Sequence, residues 1–131
     1  MAWAQRYADN GDNGDTSYND LCLTFVGDAY TQARVDYRSQ IDYAIDSNTY
    51  PADIWGHFIR GTTGTDTAPP RGSWVLWASA TGDRKLSHVA LSLGDGRLVS
   101  TSDGVKGTGT HYETLDQHAY AHYLGWWLPA V

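Results

Sequence analysis

Cys22 is the only cysteine in the chain, and His57, His88, His111, His118 and His122 are its only histidines. A cysteine and a histidine together can make a nucleophile and a base. Cys22 stands in SYNDLCLTFVGDAY, where a polar turn gives way to apolar residues at helical spacing. That spacing alone leaves two readings open. Free cysteine is often a small buried apolar residue. A cysteine in the first turn of a helix also lies beside unsatisfied backbone N–H groups and the positive dipole end, which favour a thiolate and could stabilise an oxyanion. Among the histidines, His88 in LSHVALSL alternates with Ala90 and Ser92, opposite in facing to Val89, Leu91 and Leu93. A titratable ring on the small-residue row of a strand is a candidate base, with a hydrogen-bonded structural histidine as the other reading.

The elements that must position these groups follow from periodicity. Trp3, Ala4, Tyr7 and Ala8 predict a short first helix that ends in DNGDNGD. From Asn19, the positions Cys22, Phe25, Val26, Ala29 and Tyr30 predict a second, with Asn19 or Asp20 as its N-cap. Tyr37, Ile41, Ala44 and Ile45 predict a helix over 36–48, and residues 52–59 a further short one. GTTGTDTAPPRG, residues 61–72, reads as a surface loop. Beyond it the period becomes two. SWVLWAS, LSHVALSLG and RLVSTSD read as strands, the last two joined across Asp95-Gly96, and YLGWWLPAV as a final strand. Helices followed by strands give an α+β fold with an antiparallel sheet, in one domain over 1–131.

Composition narrows the partners. Nine basic against fifteen acidic residues give a net charge of −6, which supplies no positive field for nucleic acid or an anionic membrane. No stretch approaches the ~18 apolar residues of a membrane span. A lone cysteine makes no intramolecular disulfide.

Taken in order, YNDLCLTFVGDAY, PPRGSWVLW, SHVALSLGDGRLVS and YLGWWLP resemble the NlpC-type cell-wall peptidases, small papain-like cysteine hydrolases related to the CHAP amidases. The resemblance spans most of the chain. It implies a papain-like fold, with N-terminal helices packed on an antiparallel sheet, and Cys22 and His88 as nucleophile and general base. The reaction would be hydrolysis of an amide in the peptide part of bacterial peptidoglycan through a thioester, needing no metal or organic cofactor. A third residue, which orients the imidazole, lies twelve positions past the histidine and is Ser100 here. Serine is neutral and short, so it would stabilise an imidazolium weakly.

Hairpin register bears on that third residue. A two-residue turn at Asp95-Gly96 pairs Gly94 with Arg97 and sets Asp103 opposite His88. A three-residue loop sets Ser102 opposite His88 and puts Ser100 on the same face as a diagonal neighbour. Both Ser100 and Asp103 are therefore candidates. Upstream, Tyr18 is a candidate for the oxyanion hole or an aromatic staple at the helix entry, and Asp20 is the nearest aspartate to the thiol. Leu21 and Leu23 flank Cys22 where the family commonly has aspartate and Ser-Gly, and Gly72-Ser73 replaces its usual glycine-aspartate.

Other motifs are weaker. Asp9, Asn13 and Gly14 fit part of a calcium loop, but Gly11 and Asp20 break it. His111, His118 and His122 lack a zinc-protease pattern. The loop 104–110 could border the cleft, and Trp3, Trp55, Trp74 and Trp77 are candidates to line it, with at least two of them expected in the core. The N-terminal residues carry no leader pattern, so an extracellular role implies delivery by a parent chain or a dedicated secretion system. An antibacterial toxin domain would carry a cognate immunity protein as partner. Two alternatives stand beside hydrolysis: an inactive binding module on the same fold, and a transamidase or acyltransferase that passes the thioester to an amine.

Overall fold

A computed structural model describes residues 2–11, 22–101, 110–118 and 121–131. Helix α1 (Ala2–Gly11) buries Ala4 and Ala8 completely, as their four-residue spacing requires. Helix α2 (Cys22–Gln32) turns Phe25, Val26, Ala29 and Tyr30 inward. Trp3 stacks on Phe25 at 5.6 Å between ring centroids and ties the two helices together. A third helix, α3 (Pro51–Ile54), is a single turn with Pro51 in its first turn and Asp53 closing a capping box on Tyr50. It is shorter than the expected 52–59 segment.

The helix expected over 36–48 is replaced by a 3-10 turn at Arg38–Gln40 and an extended Ile41 that bridges Phe58. Tertiary hydrogen bonds override the local period. The buried Gln40 amide donates to Asp36 O at 2.9 Å and Ala130 O at 2.8 Å, and its oxygen accepts from Ala130 N at 2.7 Å. One side chain thereby pins this segment to the C-terminal residues.

Six strands form one antiparallel sheet: β1 (Thr62–Gly64), β2 (Trp74–Ala78), β3 (His88–Ser92), β4 (Arg97–Thr101), β5 (Thr110–Thr114) and β6 (His122–Leu128), in the spatial order β1-β6-β2-β3-β4-β5. The architecture is α+β. One strand departs from expectation: Thr62–Gly64 lies within the stretch read as a loop, while β6, the final strand of the chain as expected, sits between β1 and β2. Gly125, at φ +142°, sits at the β2–β6 register shift, where an added Cβ would lie 2.3 Å from Gly64 O.

The β3–β4 hairpin has the three-residue loop Gly94-Asp95-Gly96. Leu93 N donates to Arg97 O, Leu91 faces Val99, and Ser92 faces Leu98. Asp95 organises the loop by accepting from Arg97 N and from its guanidinium. Gly94, at φ +82°, lies so close to Arg71 that a Cβ would come within 2.7 Å of its side chain. This replaces the two-residue turn that had set Asp103 opposite His88.

Alternation divides the buried strand residues into two sets. Trp74, Leu76, Val89, Leu91, Val99 and Trp127 pack with α1, α2 and Ile54. Val75, Trp77, Ala90, Leu98 and Trp126 form the other cluster, with Leu115, Ala121 and Tyr123 against it. Among the described residues, no helix is long and apolar enough to cross a membrane.

Candidate active site

Cys22 is the first residue of α2, a partly exposed cysteine outside any disulfide, packed at the margin of the helix-side core. It lines a cleft of about 490 Å³ with Thr24 and Asp28 from its own helix, and Arg38, Asp46, Tyr50 and Pro51 across from it. The first-turn N–H groups of a helix have no intrahelical acceptor, so the thiol occupies an electropositive end. Tyr18, Asp20 and Asp103 lie outside the described residues.

The far wall of this cleft is fastened to the strand that carries His88. Asp53 accepts from Tyr50 N at 2.8 Å and from the Arg84 guanidinium at 3.0 and 2.8 Å. The Arg84 hydrogen bonds, with help from Tyr50 N, hold the Asp53 carboxyl below its usual range, against its partial burial. Ala52 N donates to Ser87 Oγ at 3.1 Å, and Ser87 Oγ donates to Arg84 O at 2.6 Å. Pro51 and His88 are thus each one residue away from this backbone-to-hydroxyl link.

His88 opens β3 and is 8% exposed. Its Nε2 lies 2.5 Å from Ser100 Oγ, and its ring sits 5.6 Å from that of Trp77, its partner on β2. Ser100 is fully buried. The three-residue hairpin loop makes this contact possible by putting both side chains on one face. No protein-family model, no curated protein and no solved structure matches the chain. The site is therefore read from its own residues.

Of the site residues expected from sequence, the structure brings His88 and Ser100 together. Cys22 heads α2, the helix that packs against the β3 strand carrying His88, and its side chain lies against the helix-side core. Sequence reading missed the next two members of the His88 row. Ser100 pairs with His111 across β4–β5, and Leu98 with Glu113. His111 Nε2 lies 2.9 Å from Glu113 Oε2, with side chains 3% and 0% exposed. The β-favouring residues of THYET were the signal that could have located β5.

His111 is thereby tied to a carboxylate, and His122 is exposed at the start of β6; the His118 side chain lies outside the described residues. Among the described residues no three His, Cys, Asp or Glu side chains cluster as metal ligands. Asp9, the first residue of the calcium-loop match, accepts from Tyr112 OH at 2.7 Å; Asn13 and Gly14 lie outside the described residues. Of the tryptophans expected to line a groove, Trp74 and Trp77 are core residues at 0% and 1% exposure. Trp3 stacks on Phe25, and Trp55 packs edge-on against Phe58. Aromatic lining of the Cys22 cleft comes instead from Tyr37 and Tyr50.

Proposed function

We propose that the chain is a papain-like cysteine hydrolase of the NlpC type, acting on amide bonds in the peptide part of bacterial peptidoglycan. The observation that carries this reading is the His88–Ser100 hydrogen bond, formed between the two positions that the resemblance pairs. Support also comes from Cys22, which stands at a helix N-terminus and in the wall of a cleft.

With Nε2–H donated to Ser100, Nδ1 of His88 is the atom that takes the proton of Cys22. The thiolate attacks the scissile carbonyl carbon, and the oxyanion is met by the first N–H groups of α2. Collapse breaks the C–N bond, and the amine leaves with the proton from His88. Water, deprotonated by His88, then attacks the thioester carbonyl, releasing a carboxylic acid and restoring the thiol. These steps call on no metal or organic cofactor. Delivery in a secreted parent chain or by a dedicated secretion system would bring the domain to the wall, and in a toxin the partner would be an immunity protein that fills the cleft.

A second reading has an observation of its own. The group that holds His88 is the neutral Ser100 hydroxyl, which suits a binding module without turnover. Mass spectrometry of peptidoglycan fragments incubated with the protein separates the two. Hydrolysis yields a new carboxyl and a new amine, with loss of roughly 10⁴-fold or more in Cys22→Ala. Intact fragments, or cleavage that persists in Cys22→Ala, would sink the hydrolase, and products joined to an added amine would identify a transamidase.

A further inference from the structure

Resting on the Cys22–His88 reading, the geometry points to His111 and Glu113 as positioning residues for the base, with the Glu113 carboxylate supplying the negative charge that Ser100 lacks. A neutral hydroxyl can hold one tautomer of His88 but does little to stabilise its protonated form. The missing charge lies two strands away. Ser100 touches His88 and is the cross-strand partner of His111, and His111 is hydrogen-bonded to Glu113. Among the described residues the titratable groups on this row of β3, β4 and β5 are these two histidines and the glutamate; β4 adds Leu98 and Ser100, and β2 adds Val75 and Trp77. The nearby Asp116 is exposed and accepts from Thr114.

Burial gives the charge its reach. Glu113 is 3% exposed and His111 2%, so little solvent screens them. Glu113 lies two strands across and four residues along from the position level with His88, and the side chains reach toward each other through Ser100 and His111, so the carboxylate is on the order of 10–15 Å from the imidazole. At an effective dielectric of ~20, a unit charge at that distance changes the stability of the imidazolium by about tenfold. The direction is favourable, since the carboxylate attracts the cation that forms when His88 takes the thiol proton.

The test compares iodoacetamide alkylation of Cys22 at pH 6 and pH 9 in the wild type, Glu113→Gln, Glu113→Asp and His88→Ala, with folding checked by circular dichroism. A thiolate–imidazolium pair gives reactivity at pH 6 that an isolated thiol of pKa ~8.5 does not. Glu113→Gln should slow alkylation at pH 6 about tenfold and leave the pH 9 rate within about twofold, while Glu113→Asp recovers most of the loss. A wild-type rate at pH 6 in Glu113→Gln, beside a slowed His88→Ala, overturns the role of Glu113 alone. Indifference to His88→Ala overturns the Cys–His reading and this inference with it. If Glu113→Gln does not fold, long-range 1H–15N spectra of the wild type decide: a charged Glu113 requires the His111 proton on Nε2, and a proton found only on Nδ1 means a neutral, donating carboxyl and rejects the proposal.

Discussion

On the helix side of the sheet, Trp74 touches the rings of Tyr30, Tyr37 and Trp127 at centroid distances of 5.8, 5.2 and 5.0 Å, and Leu76, Val89, Leu91 and Val99 complete that face of the strands. The opposite-facing row also buries Trp77 and Leu98, yet it sets His88, Ser100, His111 and Glu113 among them. The first set gains stability from area removed from water, whereas the second adds polar groups that must be hydrogen-bonded to be tolerated. Such groups contribute little net stability, so their density on one row marks that row as the place where chemistry is expected.

The sharpest way to break this contrast is to truncate one side chain in each set. Trp74→Ala should cost about 3–5 kcal/mol, because the ring is fully buried and its aromatic neighbours cannot all collapse into the space. That is a large part of the ~5–15 kcal/mol that holds a typical domain together. Urea denaturation measures it. A loss below about 1 kcal/mol would mean that the helix-side core is loosely packed.

Glu113→Leu should cost about 3 kcal/mol, since it leaves the His111 ring nitrogen buried without its acceptor. The double variant His111→Phe/Glu113→Leu should recover most of that loss by removing both polar partners. Denaturation of the two singles and the double yields the coupling. Additive losses would show that the pair is packed rather than electrostatically linked, and would equate the two sets.

Much of this division was legible in the sequence. The change from helical spacing to alternation after residue 72 located the sheet, the small row His88-Ala90-Ser92 was separable from Val89-Leu91-Leu93, and the approach of Cys22 to a helix start was visible from its flanking polar turn. What periodicity could not supply was long-range bonding. Ile41, Ala44 and Ile45 carry a helical repeat, but the Gln40 amide, bonded to Ala130, holds that segment extended. Thr62–Gly64 has no strand pattern and becomes one only by pairing with β6. Asp95-Gly96 announced a hairpin without stating its loop length, which the conformation of Gly94 and the bonds to Asp95 decide. For the same reason the link from Ser100 to His111 could not be seen until β4 and β5 were paired.

The smallest effect tests whether the helix-side set is as free of electrostatic dependence as its composition suggests. Tyr30 brings a titratable group into it: the hydroxyl donates to Gly72 O from a buried position, and burial pushes its pKa up to about 12. In the unfolded chain tyrosine titrates near 10, so folding favours the neutral phenol. The folded pKa is the higher one, hence this contribution is whole below about pH 10 and is lost as pH rises from there through about 12. Tyr30→Phe should cost about 1 kcal/mol at pH 7 through the missing hydrogen bond, and should lose less stability than the wild type between pH 10 and 12. Urea melts at pH 7, 10 and 11.5 measure both effects. Parallel alkaline losses in the two proteins would place the high-pH sensitivity elsewhere, with Tyr123, likewise pushed up to about 12 by burial, as the next residue to replace.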